Sequence, residues 1–516
     1  MTTPITPIIR RDEKGILTLY VKNRPFFIYG GEIHNSSASD SEYMEREVWP
    51  AVEGLHMNTI LAPVYWELLE EKEGVYDFSS VGRLINQARA HHMHLVLLWF
   101  GLWKNAESMY IPGWMKKDTQ KYFRVEKKSG EKIPVVSPFC KEAIDKDRSC
   151  FRALMKYIRS IDEEENTVLM MQVENEVGIL GDARDYCAAA NEAFEKQIPS
   201  ELSDVTGEKG TWREVFEEGA EEAFMAWSFG RAVGEIASSG KEIYPLPCYA
   251  NAWLKQYPWY PGSYPSGGPV ISMQQIWKTA APELDLFAPD IYVPYCADIM
   301  DAYQTDKNPL FVPEIRKDAV TASYCMYAFG SKYAIGYSPF GIEELTKDPN
   351  AVDRPPLEVM RALNIDPTAF DIEGCAEILS ETYRILKEME PLLLELRGTV
   401  HLNSFVRHGE NDFGTFVRFT RYNIQIAYEP RTVGNPLGAG ILMELSENEF
   451  LLTGTMCRIS FLSKPDDAEK TEILRLEEGN IIDGHFERKR VLNGDEKMSV
   501  RFGRIPETYR AVLYRY

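Results

Sequence analysis

Short apolar runs alternate with amphipathic stretches through the first two-thirds of the chain. The runs fall in RPFFIYGGEIHNSS (24–37), MNTILAPVYWE (57–67), HLVLLWFGLW (94–103), TVLMMQVENE (167–176), EIYPLPCYAN (242–251), LDLFAPDIY (284–292), NPLFVPEI (308–315) and AIGYSPFG (334–341). Each is short and bounded by turn-forming residues, as a buried strand is. Between them lie segments with helical spacing, such as Val81, Leu84, Ile85 and Ala88 in SSVGRLINQARAHH. Trp49, Val52 and Leu55 mark another helix, which Asp40 or Ser41 is placed to cap. Eight strands alternating with helices predict a parallel sheet, and eight is the number that closes a (β/α)8 TIM barrel. An open doubly wound sheet is the alternative, but no G-x-G-x-x-G follows the first strand. The stretch from 25 to 345 exceeds the roughly 250 residues of a plain barrel, so long loops are predicted. NAWLKQYPWYPGSYPSGGPV (251–270) is one of them.

After residue 375 the pattern changes. CAEILSETYRILKEMEPLLLEL (375–396) reads as a helix packing through Ile378, Tyr383, Ile385, Leu386 and Met389. GTFVRFTRYNIQIAYEP, GILMELSENEFLLTGTMCRISFL and RAVLYRY then alternate apolar with polar residues, with a turn at Asn493-Gly494-Asp495. That is the period of antiparallel strands with one face buried, most simply a β-sandwich. The predicted organisation is an N-terminal β segment (1–24) packing on the barrel, a barrel with its trailing helix (25–396), and a C-terminal sandwich (397–516).

Composition narrows the partners. With 57 basic and 78 acidic residues, the net charge is −21. Such a surface repels phosphate backbones and anionic bilayers, so neither nucleic acid nor membrane is expected as a partner. A neutral carbohydrate is compatible with it. The eight cysteines are scattered without a C-x-x-C, which predicts buried thiols rather than a disulfide framework or zinc site. The N-terminus shows no apolar core ahead of a small-residue cleavage site, so a cytoplasmic location is expected. Exposed β edges and long loops are compatible with a homo-oligomer.

Chemistry in a barrel sits at the C-terminal strand ends. The fourth strand ends in Glu174-Asn175-Glu176, and the seventh carries Glu314 in FVPEIRKD. Two carboxylates on opposed strands of one mouth are what glycoside hydrolysis needs: one protonates the leaving oxygen, the other attacks the anomeric carbon. In an extended strand Glu174 alternates away from Glu176, which gives it a supporting role. His91, His92 and His94 lie where a helix enters the third strand, at the far end of the barrel, and no Cys or carboxylate completes a metal set.

Gln172-Val173-Glu174-Asn175-Glu176-Val177-Gly178 resembles the Q-[VI]-E-N-E-Y-G of family 35 β-galactosidases, members of the retaining (β/α)8 glycosidases of clan A. GLHMNTILAPVYWELLEEKEGVYDF (54–78), ARAHHMHLVLLWFGLWKNAESMYIPGWMK and YAIGYSPFGIEEL are similar to a bacterial branch of that family, which also carries a C-terminal β domain. The resemblance implies Glu176 as acid/base, Glu314 as nucleophile, Asn175 as donor to the sugar 2-hydroxyl, and no cofactor. Tyr292, at the sixth strand end, is placed to hydrogen-bond the nucleophile and keep it ionised. The implied activity is removal of terminal β-D-galactosyl residues from oligosaccharides with retention. The chain departs from the family at Pro63, where a Tyr is common, and at Lys104-Asn105-Ala106, where A-E-W is common. Glu32, Trp66, Trp103, Lys104 and Asn105, with Glu67 beside Trp66, form an alternative sugar-binding set. Trp253 and Trp259, on a loop, are candidates for shaping a subsite. The departures keep open a β-glucosidase, an arabinopyranosidase or an endo-acting enzyme. A glycan-binding barrel without catalysis is the reading from a different class.

Overall fold

The computed structural model describes residues 6–352, 354–464 and 468–516. Eight parallel strands close into a barrel: β1 (Ile28–Glu32), β2 (Thr59–Tyr65), β3 (His94–Lys104), β4 (Val168–Asn175), β5 (Cys248–Trp253), β6 (Leu286–Ile291), β7 (Phe311–Ile315) and β8 (Gly336–Pro339). They pair in sequence order, and β8 returns to β1. Each of the eight apolar runs supplies one strand, because a strand buried on both faces has no polar side to show. Asp40 caps the first helical segment, its carboxylate accepting the Tyr43 N–H at 2.8 Å.

Two layers of apolar side chains fix the barrel. Leu61, Leu98, Phe100, Leu169, Tyr249, Phe311 and Ile335 fill the lumen. Val64, Leu97, Trp99, Val173 and Val312 belong to the larger cluster that includes the surrounding helices. Full burial of each such side chain contributes about 1.5–3 kcal/mol. Below the barrel lies a three-stranded antiparallel sheet (Ile8–Arg11, Leu17–Val21, Arg24–Pro25). Its Leu19 and Val21 join the lumen cluster and close the end where β1 begins. The other end is built from the long connections that follow β3, β4, β5 and β8.

The C-terminal region is a β-sandwich. A six-stranded sheet (Leu402–Val406, Ala439–Ser446, Glu449–Thr455, Glu507–Arg515, Thr471–Ile482, His485–Leu492) faces a four-stranded one (Gly414–Arg418, Tyr422–Tyr428, Cys457–Ser463, Val500–Phe502). Ile424, Ile426 and Ile459 from the smaller sheet and Leu442, Phe450 and Leu452 from the larger share one core. The segment at Asn493 differs from the predicted turn: Gly494–Lys497 forms a short 3-10 helix. The sandwich docks on the barrel through the helix Thr321–Ser331. Ser323 Oγ donates to the Leu437 carbonyl at 3.1 Å, and Ser404 Oγ accepts the Ser331 N–H at 2.8 Å. A side chain at Gly330 would place its Cβ 2.5 Å from Cβ of Ser404, so this approach requires glycine. The predicted helix Cys375–Leu396 is present and packs on Thr321–Ser331. All eight cysteines are buried and unpaired.

Candidate active site

At the top of β4 the backbone leaves the extended conformation that the sequence predicts. Glu174 and Glu176 have φ of 62° and 45°, and facing them Asn105 and Ala106 have 52° and 55°. Left-handed conformations of non-glycine residues are costly and persist where surrounding bonds enforce them. Here the Asn105 and Ala106 N–H groups donate to the carbonyls of Asn175 and Glu176, both at 3.1 Å. The Glu176 N–H donates to Asn251 Oδ1 at 3.0 Å. Three strand ends are thereby laced together, and successive side chains at 174–176 diverge.

Glu174 turns outward, away from the lumen, through this kink rather than through strand alternation. Its Oε2 accepts the Trp103 N–H at 2.6 Å, and its carboxyl meets Asp147 from the helix Lys141–Asp162. Asp147 in turn accepts from Trp99 Nε1 and the Leu102 N–H, each at 2.9 Å. Both acids are fully buried. Burial pushes the Asp147 carboxyl up to about 6. Burial, and then the Asp147 charge, pushes Glu174 well above the carboxylate range. Two touching carboxyls cannot both ionise there, so they share a proton. A Cβ at Gly101 would fall within 2.3 Å of Asp147 Oδ2 and 2.5 Å of Glu174 Oε1, so the pair fits only beside a glycine.

Above the lumen opens a cavity of about 250 Å³, lined by Lys104, Asn105, Glu176, Asp290, Tyr292 and Glu314 among others. The Tyr292 hydroxyl donates to Glu314 Oε1 at 2.5 Å, and its ring stacks on Phe370. Burial and the Glu314 charge raise the phenol well above its ordinary pKa, so it remains a donor. Glu314 and Asp290 are register partners on β7 and β6. Asp290 Oδ2 accepts from Asn251 Nδ2 at 2.6 Å, and its carboxyl also hydrogen-bonds that of Glu176. Glu176 is raised to about 7, first by burial and then by Glu314, against the pull of Lys104. Glu32, at the end of β1, is 1% exposed, and its Oε1 has no hydrogen-bond partner among the described residues. Burial and Glu314 raise it well above the carboxylate range. Asp290 is raised in the same direction by burial, Glu314 and Glu176. The buried Lys104 acts on Glu176 and Glu32, and its ammonium lies 4.8 Å from the centroid of the Phe100 ring.

The structure brings together Glu176, Glu314, Tyr292, Lys104 and Asn105, with Glu32 in electrostatic contact beneath them. Asn175 stands one layer back. Its amide accepts from Gln172 (3.0 Å) and Asn251 (3.1 Å) and donates to Asn105 (3.2 Å). Asn105, which it holds, reaches the cavity in its place. Trp66 and Trp103 are corrections to the sequence reading: neither lines the cavity. Trp66 opens a short helix after β2, fully buried, its Nε1 donating to Glu70 at 2.7 Å. Trp103 lies on the helix-facing side of β3, edge-on to Phe229, its Nε1 donating to the Val136 carbonyl at 2.9 Å. Glu67 pairs with Lys116 on a half-exposed surface. His94 hydrogen-bonds the Asn166 carbonyl and His91 stacks on Trp49. Among the described residues no group of three or more His, Cys, Asp and Glu is arranged to hold a metal ion. Asp290 and Asn251 were missed by sequence reasoning. The available signal was the position of Asp290, two residues before Tyr292 at a strand end.

Residues 18–244 match the family model described as glycosyl hydrolases family 35. The matched segment carries the first four barrel strands. The match supports a glycoside hydrolase acting on a carbohydrate. The matched segment includes Glu176, whereas Glu314 lies beyond it. Residues 379–504 match a domain of unknown function (DUF5597). No curated protein matches the chain. Solved structures similar to it include a β-galactosidase from Bacillus circulans sp. alkalophilus, at 11% identity, covering 94% of this chain and 99% of that one, with a TM-score of 0.49. A β-galactosidase from Rahnella sp. R3 is 14% identical over 71% of this chain and 57% of that one, with a TM-score of 0.47. An exo-β-1,4-mannosidase from Opitutaceae bacterium strain TAV5 is 14% identical over 75% and 63%, with a TM-score of 0.41.

Proposed function

We propose that this glycoside hydrolase is a retaining exo-β-glycosidase and that terminal β-D-galactosyl residues are its substrate. The observation that carries the reading is one cavity holding Glu176, with a carboxyl raised to about 7, and Glu314, bonded to a tyrosine hydroxyl. The two acids stand in different environments, and such a difference assigns the roles of acid and nucleophile. Glu314 attacks the anomeric carbon while Glu176 transfers its proton to the departing glycosidic oxygen. This breaks the C–O bond and leaves a glycosyl ester on Glu314. Glu176, now ionised, takes a proton from water, and the water oxygen displaces Glu314 from the same face the aglycone left. Tyr292 orients the attacking carboxylate, and Asn105 and Lys104 supply donors to ring hydroxyls. The β-galactosyl assignment rests on the resemblance of the β4 motif. Lys104 and Asn105 line the cavity where related galactosidases commonly carry A-E-W, and this favours, as second reading, a different β-glycoside on the same mechanism.

Hydrolysis of a panel of aryl β-glycosides by the wild type and Glu314→Gln tests both. Release from the β-galactoside, abolished in the variant, supports the proposal. Release from another β-glycoside instead moves the specificity and keeps the mechanism. Full activity of Glu314→Gln on any of them overturns the assignment of the nucleophile.

A further inference from the structure

A cavity of about 250 Å³ has room for one sugar ring and not two. The leaving portion of an oligosaccharide substrate then has to lie against whatever surrounds the mouth. Two connections form the rim there, the one after β5 and the one after β8. Gln256 and Asn364, one from each, line the cavity, and the loops are tied across it. Gln256 Nε2 donates to the Leu363 carbonyl, and Asn364 Nδ2 to the Tyr257 carbonyl, both at 2.6 Å. The Trp259 N–H donates to the Gln256 carbonyl at 2.9 Å, closing a turn that begins at the cavity-lining Gln256. Trp259 is held at a φ of 71°, a conformation unfavourable for its side chain and characteristic of functional loops.

Beside these ties, three large aromatics face solvent: Tyr257 at 66%, Trp259 at 53% and Tyr260 at 60% exposure. Three rings left in water on one four-residue turn are not accounted for by folding, since none joins a core cluster. We infer that Tyr257, Trp259 and Tyr260 form the aglycone site, a stacking surface for the neutral pyranose rings on the leaving side of the scissile bond. The inference rests on the glycosidase reading and adds the substrate class: an oligosaccharide with at least two sugars beyond the bond, rather than a simple alkyl or aryl glycoside. The occupant is a sugar chain because the turn adjoins the proposed sugar cavity: Gln256, which precedes Tyr257, lines it, as does Asn364, which is bonded to the Tyr257 carbonyl. A ring with one apolar face and one fringe of hydroxyls suits tyrosine and tryptophan, which offer an apolar plane with a polar tip.

The test compares Trp259→Ala and Tyr257→Ala with the wild type on two substrates, a β-galactosyl trisaccharide and the aryl β-galactoside. Both side chains are exposed, so folding is not at stake. The ratio of kcat/KM for the trisaccharide to that for the aryl glycoside is expected to fall about ten-fold in each, the size of a lost ring-stacking contact. A ratio that stays constant overturns the inference. So does a constant ratio accompanied by dissociation of an oligomer in sedimentation, which would assign the aromatics to a second copy of the chain. Tryptophan fluorescence gives a readout independent of turnover. The trisaccharide should shift the emission of Glu314→Gln and leave that of the Glu314→Gln, Trp259→Ala double variant unchanged. If the wild type cleaves neither substrate, the glycosidase reading fails, and the fluorescence titration decides the aglycone site by itself.

Discussion

The hydroxyl of Tyr292 lies 2.5 Å from Oε1 of Glu314, while the other carboxylate oxygen of Glu314 has no partner among the described residues. The bond fixes the rotation of the carboxyl group, leaving the second oxygen directed at the cavity. Tyr292→Phe removes the donor without changing the ring that stacks on Phe370. Hydrogen bonds to charged groups contribute about 1.5–3 kcal/mol, so kcat is expected to fall roughly 10- to 100-fold. Steady-state rates on an aryl glycoside check this, and a change confined to KM would argue against the role.

In the proposed mechanism the raised carboxyl of Glu176 gives the activity an alkaline limb. That mechanism needs the acid form for its first step, and the acid form is lost as pH rises through about 7. Lys104 opposes this raising, so Lys104→Met should move the alkaline limb of kcat/KM to higher pH. Movement to lower pH, or none, would show that Lys104 does not act on Glu176.

The Asp147–Glu174 pair makes stability depend on pH in the opposite sense to an ordinary salt bridge. The pair holds a proton in the folded chain that the unfolded chain releases. The native state therefore binds more protons, and stability falls as pH rises from the ordinary carboxylate range through about 6. Glu174→Gln preserves the shape and the acceptor for the Trp103 N–H while removing one titrating group. Its melting temperature should fall less between pH 5 and pH 8 than that of the wild type, measured by calorimetry.

Trp103 faces the helices and not the sugar. Trp103→Ala is expected to cost about 3–5 kcal/mol of stability, as large-to-alanine changes in cores do. Denaturant unfolding measures that loss. A normal unfolding midpoint together with a raised KM would return Trp103 to the substrate.

The eight strands were legible because parallel strands covered on both sides are short apolar islands, and the helices between them show their period. The same double burial hides which face each residue takes. In HLVLLWFGLWK both sides are apolar, so nothing in the sequence says that Trp103 points outward while Lys104 reaches the cavity. That Glu176 and Glu314 meet at one cavity was readable from their place at strand ends. Asp290 was not, because its importance comes from partners on other strands, Asn251 and Glu176, which only closure of the barrel brings near. The kink at Glu174 depends likewise on bonds from β3, and residues 172–178 alone do not encode it.

The sheet that seals the lower end of the barrel with Leu19 and Val21 makes the cavity a blind pit. In the proposed exo mechanism the sugar ring enters first and leaves last, after the aglycone has cleared the mouth. A substrate chain bound in this way cannot thread through, so each proposed cleavage would require the enzyme to let go and bind again. Free monosaccharide, able to re-enter an empty pit, should then compete with substrate for the same floor.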